Sequence, residues 1–244
     1  MNRYATILLL AGLLAGMGMG TAHAQIYVDN DASGNNDGSS WTDAYTDLQS
    51  ALSAATSSDE IWIAEGVYTP ASGTDQSASF VITGGEDGLG LYGGFSGDES
   101  SRSERDPGAN PTILSGDLEG DDTTTNGVTV DASDISGSNS NHVLFLDGTS
   151  SDITNSTVID GVTVTAGQAN GNATDGGGIY CTGGGSGNEC SPTFQNLVIP
   201  GNHASGDGGG MYNDGANGGQ SHPTLTNVLF YENSADGFGG GMRG

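Results

Sequence analysis

The 244-residue sequence has no lysine and only four arginines against 30 acidic residues, leaving a formal net charge of −26. A surface so one-sided repels phosphate and anionic headgroups, which argues against nucleic acid and anionic membranes as partners. Histidine is nearly as scarce, and His23, His142, His203 and His222 form no paired His-x-x-x-His site. The nucleophile elbow and the phosphate-binding glycine loop are also missing. Cysteine is limited to Cys181 and Cys190. Beyond the N-terminus no apolar run is long enough to cross a membrane as a helix.

The N-terminus is different. Arg3 precedes an apolar run from Ala5 to Met19, and Ala22-His23-Ala24 offers small residues where a signal peptidase cuts. Residues 1–24 therefore read as an export signal, with Gln25 first in the mature chain. A membrane anchor is the rival reading, but a run of about 15 residues is short for a bilayer. The expected location is the medium or outer surface of a bacterial cell. In that oxidising setting Cys181 and Cys190, separated by a glycine-rich loop, read as one disulfide worth about 2–3 kcal/mol. A metal-binding pair is the alternative, and no histidine lies close in sequence to support it.

The glycine count of 44 and the high charge are compatible with disorder, but the apolar residues fall in short β-rich runs between turn residues. Ile26-Tyr27-Val28 is the first run. Trp41, Ala44, Tyr45, Leu48, Ala51, Leu52 and Ala55 follow at helical spacing, with Ser40 and Asp43 as a capping start. Ile61-Trp62-Ile63 and Val67-Tyr68 come next. Residues 25–79 thus read as a strand-helix-strand cap over the first open edge of a sheet stack. From Phe80 onward only short runs recur: Phe80-Val81-Ile82, Leu89 to Tyr92, Thr112-Ile113-Leu114, Val128-Thr129-Val130, Val143 to Leu146, Val158-Ile159 and Val162-Thr163-Val164.

An internal repeat decides the fold class. Gly176-Gly177-Gly178-Ile179-Tyr180 returns as Gly208-Gly209-Gly210-Met211-Tyr212 and again as Gly239-Gly240-Gly241-Met242. Pro192-Thr193-Phe194-Gln195-Asn196-Leu197-Val198 returns as Pro223-Thr224-Leu225-Thr226-Asn227-Val228-Leu229. The offset is 31 residues, with one extra residue in the cysteine loop. Each repeat holds two or three β runs and no helix, so one repeat makes one coil, stacked on the next as parallel strands. The predicted class is all-β: a right-handed parallel β-helix over residues 80–244, its hand following from the usual parallel crossover. The last copy breaks off after Met242, which predicts that the helix is truncated at its C-terminal end. Asn196 over Asn227, and Asn202 over Asn233, are expected to form amide ladders along the axis, with Phe194 over Leu225 inside.

On Gly177-Gly178-Ile179 and Phe230-Tyr231-Glu232-Asn233 the repeat resembles that of chlamydia-type polymorphic outer membrane proteins and of secreted β-helix proteins with the pectin lyase-like fold. It departs at Met211, Met242 and Ile199. The stretch from Tyr92-Gly93-Gly94-Phe95-Ser96-Gly97 to Ile113-Leu114-Ser115-Gly116-Asp117 resembles the first coils of such exported proteins. The resemblance implies fold far more than function.

Pectate lyases and polygalacturonases share that fold, so catalysis has to be weighed. A lyase needs a base and a cationic partner for the substrate carboxylate. Arg102 and Arg105 are the candidates, and the sequence places them against Glu104, Asp106 or nearby acids instead. No Gly-His-Gly step surrounds any histidine; His203 and His222 read as exposed turn residues. Asp121-Asp122 is the nearest carboxylate pair, on opposite faces if extended. No catalytic residue is assigned. Asp117, Glu119, Asp121 and Asp122 crowd a glycine-containing loop where alternate carboxylates can converge on Ca²⁺, but a solvated acidic turn is the favoured reading. Asp175, Asp207 and Asp236 read as turn caps before the glycine steps. Calcium is the one cofactor expected, if any.

Three functions remain: a non-catalytic surface or secreted β-helix acting in adhesion or carbohydrate contact, a polysaccharide-active enzyme, and a structural stalk. The first predicts a ladder of exposed polar or aromatic side chains, the second a cleft rimmed by converging acids or an arginine, the third neither. The partner classes are a polysaccharide and a host or cell surface.

Overall fold

The computed structural model describes residues 23–244; the expected export segment, residues 1–24, lies outside it but for its last two. The chain is mostly β, and the first strand begins at Gln25. The strands form four open sheets in which every pairing is parallel. The first sheet holds Gln25–Val28, Glu60–Ala64, Gly90–Phe95, Val158–Asp160, Thr193–Gln195 and Thr224–Thr226. The second holds Phe80–Thr83, Leu144–Asp147, Ile179–Thr182, Met211–Asp214 and Met242–Arg243. The third holds Gly66–Tyr68, Thr112–Ser115, Val162–Thr165, Val198–Pro200 and Leu229–Tyr231, and the fourth Gln168–Ala169, His203–Ala204 and Ser234–Ala235. From Val158 the chain visits the first, third, fourth and second sheets in turn and returns to the first at Thr193. The arrangement is compatible with a parallel β solenoid.

Alternation along each strand sends one side chain in and the next out. In the first sheet the inward column is Ile26, Ile61, Leu91, Ile159, Phe194 and Leu225. All but Leu225 are buried, each at about 1.5–3 kcal/mol for a side chain of this size. In the third sheet Leu114, Val164 and Ile199 are inward, with Phe230 in register over Ile199. The pairs Phe194 with Leu225 and Ile199 with Phe230 follow directly from the 31-residue offset.

The glycine steps have two separate causes. Gly176, Gly208 and Gly239 lie at φ of 70°, 67° and 69°, the left-handed region that favours glycine. Gly177 and Gly209 instead sit where the neighbouring backbone passes so close that a Cβ would collide with carbonyl oxygens, His203 and Gly209 for the one, Ser234 and Gly240 for the other.

The asparagine ladders are both formed. Asn227 Nδ2 donates to Asn196 Oδ1 at 2.9 Å, and Asn196 Nδ2 to Asp160 Oδ1 at 2.8 Å. Asn196 and Asn227 take φ of 51° and 52°, and Gly161 at the equivalent corner below is also left-handed, at 79°. Asn202 is fully buried: its Nδ2 donates to the carbonyls of Val164 and Pro200 and to Asn233 Oδ1, while its Oδ1 accepts from Gly167 N. Cys181 and Cys190 are joined by a disulfide, their Cα atoms 5.8 Å apart.

Three local expectations are corrected. The helix is Leu48–Ala54, capped by Asp47, which accepts from Ser50 N at 2.7 Å; it does not start at Ser40. Tyr45 is drawn instead into backbone pairing with the first strand, donating its N–H to Tyr27 O and accepting from Asp29 N, so residues 40–47 line that strand's outer edge. Val128–Val130 forms no strand, because Val128 closes a tight turn with Thr125. His203 is a half-buried strand residue, with Nδ1 2.8 Å from Ser234 Oγ. His222 is an exposed loop residue.

Candidate functional site

The outward positions of the second sheet form a column: Val81, Phe145, Tyr180, Tyr212 and Arg243. Each follows the inward position of its strand, filled by the buried Phe80, Leu144, Ile179 and Met211 and by Met242, which is 45% exposed. Tyr180 and Tyr212 stack with centroids 5.7 Å apart and planes at 12°. Phe145 lies 5.8 Å from Tyr180. His142 enters from the preceding turn and stacks on Tyr180 at 4.8 Å, with Nδ1 2.9 Å from Gly176 O. All four rings are half-buried, leaving part of each open to solvent.

The electrostatics keep these rings neutral. Burial pushes the His142 imidazole below its ordinary 6.5, opposed by the Gly176 bond and the nearby Asp175. Burial and the Asp214 carboxylate push the Tyr180 phenol up, and its hydroxyl donates to Asp214 Oδ2 at 3.0 Å. Tyr212 shifts the same way through burial and the charges of Asp175 and Asp214. A groove of about 420 Å³ opens against Phe145, His142 and Tyr180, with Asn141, Thr174 and Asp175 among its polar walls. Aromatic rings flanked by hydrogen-bonding groups suit a ligand with both apolar and polar surface. Nothing in residue type alone singles out these tyrosines. Their signal is position, since both stand one residue beyond the Gly-Gly-Gly-apolar step.

A larger groove of about 980 Å³ lies on the first sheet, lined by Tyr92, Arg102, Arg105, Asp160, Gln195 and Asn196 among others. Arg105 Nη2 pairs with Asp160 Oδ2 at 2.5 Å, both side chains largely buried, and Nη1 donates to Gly93 O. Arg102 pairs with Glu60 at 2.6 Å and lies 4.4 Å over the Tyr92 ring. The arginines thus pair with acids distant in sequence rather than with Glu104 or Asp106. Glu104 is occupied by the amides of Ser100 and Ser101.

In the acidic loop, Asp117, Asp121 and Asp122 bring one carboxylate oxygen each within 4.8 Å of one another. Glu119 stands apart from that group, accepting from Ser138 N at 2.9 Å. Asp122 accepts from Ser136 N, Thr129 Oγ1 and Asn139 Nδ2, yet burial and the neighbouring Asp117 charge raise its pKa. Asn139 Oδ1, on the side chain that reaches Asp122, is buried without a partner. The donors are all oxygen, as a hard cation prefers.

Of the turn aspartates, Asp175 accepts from Asp207 N at 2.7 Å, and Asp207 from Phe238 N at 2.7 Å. Phe238, not Asp236, occupies the position before the third glycine step.

Compared with known proteins, the chain matches no family model, and no curated protein or solved structure matches it. Among the described residues no helix is long and apolar enough to cross a membrane.

Proposed function

We propose that this chain is an exported, right-handed parallel β-helix that contacts carbohydrate through the open aromatic column of its second sheet, as a non-catalytic adhesin of a bacterial surface or of the medium. The supporting observation is the half-exposed run of Phe145, Tyr180 and Tyr212 with His142 beside a groove. A stalk has no use for aromatic faces left part-open to water. The right hand rests on the general preference of parallel crossovers, and the export on the N-terminal signal pattern. Residues 25–79 serve as the cap and residues 80–244 as the coil stack. Calcium, held by Asp117, Asp121 and Asp122, stabilises the loop between coils without taking part in binding.

The enzyme reading retains one specific support, the arginine-containing groove on the first sheet. Both arginines there are committed to carboxylates, which leaves neither free to hold a substrate acid. Two measurements separate the readings. A glycan array should show retention of oligosaccharides by the protein and its loss in Tyr180→Ala. An absorbance assay on pectate and alginate, with and without calcium, should show no unsaturated product. Product that depends on Arg105 and Asp160 would promote the enzyme.

A further inference from the structure

We infer that the groove beside Tyr180 takes an amino sugar with a free ammonium group, placed against the rings of Phe145, His142 and Tyr180 and directed at Asp175. This rests on the reading of that face as a carbohydrate contact and narrows its ligand.

The first ground is the cavity itself. Three aromatic rings border it, and aromatic rings attract a nearby cation. His142 adds a ring and not a competing charge, because burial disfavours the imidazolium by more than the Gly176 bond and Asp175 favour it. Asp175 stands at the wall, and its one hydrogen bond within the described residues is the Asp207 amide on Oδ1.

The second ground is the repeat. One coil further on, Asp207 holds the place of Asp175, immediately before the glycine step. There the chain supplies its own cation: Arg243 Nε lies 3.7 Å from Asp207 Oδ2, with the guanidinium 6.0 Å from the Phe238 ring centroid. Arg243 is the register partner of Tyr212 on the column. At the Asp175 level that outward position is Tyr212, which brings no charge, while the groove borders Asp175 on the side of Tyr180 and Phe145. The fold thus shows a cation seated beside a carboxylate and an aromatic ring at one level, and the same carboxylate with several rings and no cation at the level below. An ammonium on a ligand completes the second.

Net charge points the same way. A chain of −26 attracts cationic saccharides and repels uronates before any contact forms. An N-acetylated sugar can stack on the same rings, but it leaves the Asp175 carboxylate without a donor of opposite charge.

Isothermal titration with glucosamine, N-acetylglucosamine and galacturonate oligomers of equal length, near physiological salt and at a pH that keeps the amine protonated, tests this. Glucosamine oligomers should bind about tenfold more tightly than the N-acetylated ones, the scale of a cation–π contact beside a carboxylate. Asp175→Asn, which preserves the acceptor for Asp207 N, should erase that preference and keep the neutral-sugar affinity. Glu119→Gln, an equal change of charge elsewhere, should leave the preference intact. Tyr180→Ala should lose both. A preference that survives Asp175→Asn, or falls equally with Glu119→Gln, would show diffuse charge attraction and overturn the inference. Equal or tighter binding of N-acetylated or uronate oligomers that still depends on Tyr180 would overturn it while leaving the carbohydrate reading standing. No binding by any oligomer would overturn both.

Discussion

Two sheets of this molecule carry aromatic columns on their outer faces, and they have different fates. On the first sheet the column is Tyr27, Trp62 and Tyr92, in register on neighbouring strands. Trp62 stacks on the fully buried Phe95 at 4.7 Å, and Trp41 closes on Tyr27 and Phe95. Arg102 and Arg105 lie over Tyr92. On the second sheet Tyr212 stacks on Tyr180, Phe145 packs tilted against Tyr180, and all three stay half-open. Parallel strands in register produce such a column wherever an aromatic repeats at an outward position. Whether the column becomes core or surface depends on what the intervening loops bring over it. The first sheet is covered by loop segments around Trp41 and Arg102–Pro107; the second is flanked by the turn carrying His142 and by residues 172–175, which leave its rings part-open.

That difference makes the two columns respond unequally to truncation. The largest effect is expected at Phe95→Ala, which removes a fully buried ring and the stacking surface of Trp62; chemical unfolding should show a loss of about 3–5 kcal/mol. A loss under 1 kcal/mol would mean that the first column is not core. Next comes Arg105→Ala, which strips the partner from a mostly buried Asp160. It should cost about 2–3 kcal/mol, less than a fully buried pair because some solvent reaches both groups and Asn196 still donates to Asp160. Arg102→Ala, at an exposed pair, should cost no more than about 1 kcal/mol.

A smaller effect belongs to the open column. The His142 pKa is held below 6.5 by burial, so protons favour the unfolded chain. The stability that neutral His142 allows is present above 6.5 and falls as pH drops below that value toward the folded pKa. Gly176 O and Asp175 face the ring and soften the loss without reversing it. His142→Phe should keep the stacking and flatten the melting temperature between pH 6.5 and about 5 relative to the parent. An unchanged slope would place the titration elsewhere. Smallest is calcium: a modest rise in melting temperature through linkage, absent from the Asp121→Asn, Asp122→Asn double variant. A rise that persists in that variant would move the site away from the loop.

The register of the parallel sheets is legible in the sequence because the repeat period is strict. Phe194 and Leu225, Asn196 and Asn227, and Asn202 and Asn233 are paired by the offset alone, and the disulfide by the only two cysteines. The columns are less legible. Asp160 and Arg105 are 55 residues apart, and nothing local in either joins them. The helix start fails for a related reason, since Trp41 and Tyr45 fit helical spacing but are claimed by tertiary partners: Phe95 and the Glu99 carbonyl for one, the first strand for the other. Glu119 joins the acidic run by spacing, yet its carboxylate is spent on the Ser138 amide.

The most direct test of the open column as a binding surface sets stability against affinity in one variant. Tyr180→Ala, Tyr212→Ala should be titrated with whichever oligosaccharide the parent binds, and unfolded in denaturant alongside it. The account predicts that saturable binding disappears while the unfolding free energy falls by no more than about 2 kcal/mol. Binding that survives with the parent's affinity, or a collapse in stability on the scale of Phe95→Ala, would contradict it.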